Sequence, residues 1–261
     1  MNYINNFLEN TIGLVAVEED GQLTRTAKPA PTTSSQDILA ELVDNYPIHE
    51  DFLRLTYHAG SHLAEALAGN TDGNRVLMSN PEPQLRGESA RCNKRIATAT
   101  GLVEHPVEYT FTDLSSSLVA QARRTLGKQY PFMRFAVQDI KKPVSEEFAG
   151  QQHIVIASHC VHATRSLTDS TRNIRQALRP EGFLMMFEMR EAWPALDLTF
   201  GLYEGWWLFE DGRTHAYTSP EAWQRSLTAA GYGAVDWTDG ALSEHKYYMV
   251  LIACASAVQQ K

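Results

Sequence analysis

The sequence predicts an α/β fold with crossover connections, fronted by a small helical subdomain. Two observations predict it. From residue 106 onward, apolar strand-like segments alternate with segments of helical period, the pattern of a sheet wound with helices. Before residue 70, apolar residues recur mainly at helical spacing. With 261 residues, 43% of them hydrophobic and 21% charged, the chain can build one real core plus a cap.

Residues 3–17 read as a short amphipathic helix running into the strand-like Gly13–Val17, and Glu18–Gln22 reads as a turn. Ala27–Ser35, rich in Pro, Thr and Ser, is a linker. Ile38, Leu39, Leu42 and Val43 mark one helix; Phe52, Leu55, Leu63, Ala64 and Leu67 mark a second, stopped by Gly69–Asn74. Residues 1–70 are therefore expected to form a helical lid. Residues 71–105 have weak periodicity, a solvated basic run (Arg91–Arg95) and a short helix over Ile96–Val103, and are expected to be an irregular or shortened connection.

The core is expected over 106–261. Val107–Asp113 alternates as a strand, Ser115–Leu126 is helical, and Phe132–Asp139 is a second strand. His153–Ser158 is a short strand of the doubly buried type. Ser166–Leu178 is a helix stopped by Arg179-Pro-Glu-Gly182, after which Phe183–Glu188 is a strand. Pro220–Ala230 is a helix ended at Gly231, and Ala234–Trp237 and Tyr247–Cys254 complete the strands.

A net charge of −8 argues against a nucleic-acid or anionic-membrane surface. Cys92, Cys160 and Cys254 are widely spaced, with neither a disulfide framework nor a metal spacing, so a reducing, cytoplasmic setting without metal is expected. The N-terminus lacks a basic segment followed by a long apolar run, and no stretch is long and apolar enough to span a bilayer, so neither a signal peptide nor a membrane span is expected.

The chemistry-bearing residues gather at strand ends, the edge where open α/β sheets bind ligands. Asp113 ends one strand and Asp139 another. Either carboxylate suits a nucleoside, although local pattern favours Asp113 or Ser115 as the cap of the next helix. His162 follows a strand and Glu188 ends the next. If those strands are neighbours, the carboxylate orients the imidazole and raises its basicity, giving a general base. His159 stands nearer the strand end and suits a cofactor contact; His153 opens its strand and faces the wrong edge. Cys160 beside two histidines suggests a nucleophile, but it sits in an apolar run and no Gly-x-Ser-x-Gly elbow is present. Trp206 and Trp207 suit an apolar substrate wall or a packed helix face, and Arg213 follows in a polar loop.

Four segments, Tyr109–Ser117, His159-Cys-Val-His-Ala-Thr164, Leu178-Arg-Pro-Glu-Gly-Phe183 and Glu204-Gly-Trp-Trp-Leu-Phe-Glu-Asp-Gly-Arg213, resemble the C-methyltransferase domain of fungal iterative polyketide synthases of the non-reducing type. Leu53–Leu63 resembles that family's N-terminal helical subdomain. The resemblance implies a class I methyltransferase-like doubly wound sheet and S-adenosyl-L-methionine as cofactor. It implies C-methylation of the α-carbon of a β-ketoacyl polyketide in secondary metabolism, with His162 and Glu188 as base. Asp113, Asp139 and His159 then hold the cofactor, and Trp206, Trp207 and Arg213 meet the substrate. A carrier-bound polyketide and a partner synthase are the implied partners.

The family also carries a strand and a Glu-x-Gly-x-Gly-Thr-Gly-Gly loop before the Tyr109–Asp113 strand. Arg91–Gly101 stands there instead, and the stretch between Leu67 and Pro106 looks shorter, leaving the first central strand without a counterpart. No ketosynthase, acyltransferase or carrier segment is seen, so a detached domain is expected. The alternative is a catalytically inactive remnant or scaffold that binds an acyl chain or a partner synthase.

Overall fold

The computed structural model describes residues 5–78, 107–191, 193–239 and 247–256. The helix expected over 96–103 and the basic run at 91–95 lie outside them. The chain divides into two compact units, Met1–Leu85 with Pro194–Tyr203, and Arg86–Trp193 with Glu204–Lys261.

The first unit opens with a helical turn, Phe7–Ile12, and a small antiparallel hairpin of β1 (Val15–Val17) and β2 (Leu23–Arg25). The π-type winding of that turn and the second hairpin strand are absent from the sequence reading. Helix α1 (Ser35–Asn45) starts where the Ser34 hydroxyl accepts a hydrogen bond from the Asp37 N–H, and α2 spans Glu50–Leu67. Next come α3 (Gly73–Met78) and, much later in the chain, α6 (Pro194–Phe200). Leu55, Ala59 and Leu77 are buried together, with Phe200, Leu202 and Tyr203 packed on them. Residues 194–203, which the sequence placed inside the core domain, thus return to the helical unit. Apolar periodicity cannot reveal which partner a seven-residue helix chooses.

The second unit contains two sheets. β3 (Tyr109–Asp113) and β4 (Met133–Val137) pair in parallel across helix α4 (Ser116–Leu126). β5 (Gln152–Ser158) runs parallel to β6 (Leu178–Met189), with α5 (Leu167–Ala177) as the crossover. Helix α7 (Pro220–Ala229) leads to β7 (Ala234–Trp237), and β8 (Tyr248–Cys254) pairs antiparallel with both β6 and β7, giving the order β5-β6-β8-β7.

Why these elements form follows from the residues. Ser115, Ser166 and Ser219 each cap the following helix through a side-chain oxygen. Alternation along the strands buries Ala157, Leu184, Met186, Leu251 and Ala253 against Leu167, Ile174, Trp223 and Leu227. Gly182 sits where a Cβ would come within 2.8 Å of the His153 carbonyl oxygen and 3.0 Å of that of Gln152, so β6 approaches the irregular start of β5 only with glycine there. No helix among the described residues is long and apolar enough to cross a membrane.

Candidate functional site

Because β5 and β6 are parallel neighbours, with Ser158 opposite Phe187, the loop after β5 and the end of β6 meet at one edge. There His162 Nδ1 lies 2.6 Å from Glu188 Oε2. Glu188 is fully buried and the His162 side chain is 13% exposed. The second oxygen, Glu188 Oε1, accepts the Val161 N–H at 3.3 Å. A buried carboxylate held by two donors needs both, since an unpaired one would be driven to protonate. A hydrogen bond from Nδ1–H to Glu188 leaves Nε2 as the ring nitrogen with a free lone pair.

His159 Nδ1 or Nε2, a His162 ring nitrogen and a Glu188 oxygen fall within 4.8 Å of one another, a three-donor cluster invisible in the sequence spacing. Ligands of one zinc ion, each about 2.0–2.2 Å from the metal, stand about 3.3 Å apart. The 2.6 Å separation of His162 and Glu188 is instead the length of a charge-assisted hydrogen bond. His159 adopts a left-handed backbone, φ 49°, and its N–H donates to the Phe187 carbonyl at 3.0 Å. Its ring meets Phe187 edge-on at 4.7 Å and Tyr248 at 5.7 Å. Burial among these rings pushes its pKa down, only partly countered by Glu188, so His159 is held neutral.

The His162 loop is braced from one side. Arg213 Nη1 donates to the carbonyls of His162 (3.0 Å) and Ala216 (3.2 Å), and Nη2 to that of Thr164 (2.7 Å). Its Nε donates to Asp211 at 2.9 Å, and the guanidinium lies 4.4 Å over the Phe209 ring. Asp211 in turn accepts the Leu167 N–H at the start of α5. Partial burial opposes ionisation of Asp211, but the Arg213 and Leu167 hydrogen bonds outweigh it and hold the carboxyl below the ordinary range. Arg213, expected to meet substrate, thus braces the His162 loop through three backbone carbonyls and Asp211; the Asp-x-Arg spacing was the available sign of the Asp211 contact. Trp206 and Trp207 fall in a single 3-10 turn, Glu204–Trp207. Trp206 is buried with its ring 5.8 Å from His162, while Trp207 is half-buried and edges toward His215 at 6.4 Å.

Asp113 ends β3, and its Oδ1 accepts the Ser115 N–H at 2.7 Å, while Ser115 itself is the helix cap. Asp113 lines a cavity of about 360 Å³ between β3 and β5, together with Gln138, Ile140, Ser158 and Cys160. Asp139 lies in the loop after β4, flanked by those two lining residues, with Oδ1 accepting the Lys141 N–H at 3.0 Å. Cys160 is exposed as a residue, yet protein packed around its thiol, with the Glu188 and Asp113 carboxylates, pushes the thiol up to about 12. A thiol with so raised a pKa is a poor nucleophile, which argues against the nucleophile reading of Cys160.

Sequence and structure comparisons agree on what this arrangement resembles. A methyltransferase-domain family profile matches residues 90–184. A non-reducing polyketide synthase of Aspergillus terreus is 43% identical over 309 positions, covering 99% of this chain and 11% of the relative. An iterative polyketide synthase of Emericella nidulans is 44% identical over 306 positions, covering 99% and 11%. The chain thus spans about a tenth of the length of these curated relatives. Among solved structures, the C-methyltransferase domain of the citrinin polyketide synthase superposes with a TM-score of 0.88 at 36% identity, covering 98% of this chain and 78% of that one. A carbon methyltransferase, CurJ, shares the fold at 20% identity and a TM-score of 0.81.

Proposed function

This chain belongs to the C-methyltransferase domains of fungal polyketide synthases, and we propose that it methylates the α-carbon of a β-ketoacyl polyketide intermediate using S-adenosyl-L-methionine. The observation that carries this reading is the buried His162–Glu188 pair at the carboxyl edge of the sheet. A carbon between two carbonyls is acidic enough for one positioned base. His162 Nε2 takes that proton, and the ionised Glu188 at Nδ1 stabilises the imidazolium that results. Burial of the pair keeps the proton from exchanging with water and fixes the ring for attack geometry. Trp206 supplies an apolar wall beside the base and Trp207 extends it, while Arg213 keeps the His162 carbonyl, and with it the loop, in place.

The cavity beside Asp113 fits the nucleoside part of the cofactor. A carboxylate at a strand end meets ribose hydroxyls, and Asp139 meets the adenine side. His159, held neutral, can lie against a cationic cofactor without repelling it. When bound, that cofactor supplies an electrophilic methyl group. The same proposal includes a carrier-bound or free polyketide as substrate, a partner synthase as its source and a cytoplasmic setting; the polyketide synthases among the relatives support the synthase context.

A second reading, a catalytically silent domain that binds an acyl chain or a synthase, is favoured by one observation: among the described residues β3 pairs with β4 alone and β5 with β6 alone, and both line one cavity. Isothermal titration with S-adenosyl-L-methionine separates the two. Saturable binding weakened by Asp113→Ala supports methyl transfer. A folded protein that takes up no heat supports the silent domain.

A further inference from the structure

We propose that Asp211 and Arg213 are positioning residues for the His162 base: Asp211 aims the Arg213 guanidinium, and the guanidinium sets the loop from which His162 projects. This role deepens the methyl-transfer reading and rests on it.

Between β5 and α5 the chain makes only bends and turns. One backbone bond of its own, from the Thr164 N–H to the Val161 carbonyl at 3.1 Å, closes the loop. Its further anchors include two charged side chains. Glu188 takes the Val161 N–H, and Arg213 takes the carbonyls of His162 and Thr164. A carboxylate on the donor side and a guanidinium on the acceptor side therefore grip residues 161–164, and the His162 ring is carried between them.

Such a grip aligns the ring only if the guanidinium is itself fixed, and it is fixed twice. Within its plane, Nε donates to both Asp211 oxygens, at 2.9 Å and 3.0 Å. A guanidinium is rigid and planar, so holding Nε sets the directions of Nη1 and Nη2. Above the plane, the Phe209 ring centre lies 4.4 Å away. Asp211 is anchored in turn, because its Oδ2 accepts the N–H of Leu167, the first residue of α5, at 2.9 Å. Leu167 and Ile174 seat α5 in the main core. Contacts thus run unbroken from the core through α5, Asp211 and Arg213 to the base. The side chains of Arg213 and Asp211 are only 9% and 18% exposed, so water competes poorly for these bonds. A lysine at 213 would keep the charge, but an ammonium is a single point and cannot reach three carbonyls and a carboxylate together.

The same two loops are joined a second time at the surface. Arg165 pairs with Glu210 at 2.7 Å, and the Glu210 N–H donates to the Arg165 carbonyl at 2.8 Å. Those side chains are 58% and 63% exposed, where an ion pair contributes little. Arg165→Ala is therefore a control that loosens the join without touching the His162 carbonyl.

The first readout needs neither cofactor nor substrate. Long-range proton–nitrogen NMR correlations of the His162 ring, assigned by their loss in His162→Gln, report which ring nitrogen carries the proton. The bond to Glu188 predicts the Nδ1–H form in the parent. Asp211→Asn and Arg213→Lys should turn it into a mixture of the two forms, and Arg165→Ala should leave it as in the parent. Asp211→Asn keeps an acceptor for the Leu167 N–H, and a circular-dichroism melt checks that each variant is folded. The second readout is kinetic. With a β-ketoacyl thioester as substrate, Asp211→Asn and Arg213→Lys should lower kcat about 10–10²-fold with KM nearly unchanged, the effect of misplacing a reacting group by about 1 Å.

A mixture already present in the parent, or an unchanged ring in both folded variants, overturns the proposal. A raised KM with kcat intact overturns it too, by returning Arg213 to the substrate wall. An equal loss in Arg165→Ala does the same, by making the joining of the loops, and not the guanidinium, the cause. A parent chain that binds S-adenosyl-L-methionine but transfers no methyl group sinks the methyl-transfer reading instead, and the ring signals alone then decide whether Asp211 and Arg213 position His162.

Discussion

The two halves of the sheet-bearing unit differ in completeness. The half built on β5-β6-β8-β7 encloses a core that runs from Val161 through Leu184 and Met249 to Trp223, and the His162–Glu188 pair sits on it. The half built on β3 and β4 rests on Leu126, Tyr130 and Met133, and carries Asp113. The first half holds the proposed proton acceptor. The second carries the Asp113 carboxylate on a pair that, among the described residues, has no third strand. On the proposed reading, base chemistry rests on the first half and cofactor capture on the second.

The largest expected effect sharpens that division. In protein able to transfer methyl groups, His162→Ala should lower single-turnover methyl transfer by about 10²–10⁴-fold, with cofactor affinity nearly unchanged. Asp113→Ala should do the reverse, weakening cofactor binding. Equal losses of both properties in His162→Ala would break the division and make His162 a structural residue.

At the seam between the halves, Cys160 tests the electrostatics. With its thiol pushed up to about 12, alkylation by iodoacetamide at pH 8 should run about two to three orders of magnitude slower than that of glutathione. A rate equal to glutathione would mean that Asp113 and Glu188 do not face it as drawn.

Local stability should follow the contrast in cores. Native-state hydrogen exchange is expected to open β3 and β4 at roughly 2–3 kcal/mol below β6 and β8. In the same sense, Leu227→Ala, at a fully buried site in the large core, should cost about 3–5 kcal/mol, and Leu126→Ala about 2. Equal costs would mean that the two-stranded half is better supported than its burial suggests.

The smallest effect concerns the brace. Asp211 has a carboxyl pKa lowered in the folded state, so its pairing stabilises above the unfolded carboxylate range and is lost as pH falls through the folded value. The stability gap between the parent and Asp211→Asn should be present at pH 7 and close as pH drops below about 4. A gap that widens in acid would contradict the assigned direction.

Much of the fold was legible in the residues. Alternation over Val107–Asp113 and helical spacing from Ser166 lie within a residue or two of their elements, because each is set by local period and caps, whereas Arg179–Gly182, expected as a stop before a strand at Phe183, is itself the start of β6 because it pairs with the beginning of β5. His162 and Glu188 could be named as partners because two successive parallel strands bring their carboxyl ends together. The bonds of Arg213 to three carbonyls of its own chain were not legible, because they depend on how distant segments meet. The return of 194–203 to the helical unit was invisible for a similar reason: docking of a short helix depends on surface shape 140 residues away in the chain, as the Thr199–Thr56 hydrogen bond illustrates.

The sequence by itself determined the period of each element, the placing of histidine and carboxylate at strand ends, and the lack of a glycine loop before β3. All of these are properties of neighbours along the chain. Only the tertiary structure decided that His162 and Glu188 lie 2.6 Å apart, that Arg213 serves the base loop, and that two strand edges face one cavity. Those facts depend on register and burial between segments distant in sequence, where a shift of one residue turns every side chain to the opposite face of the sheet.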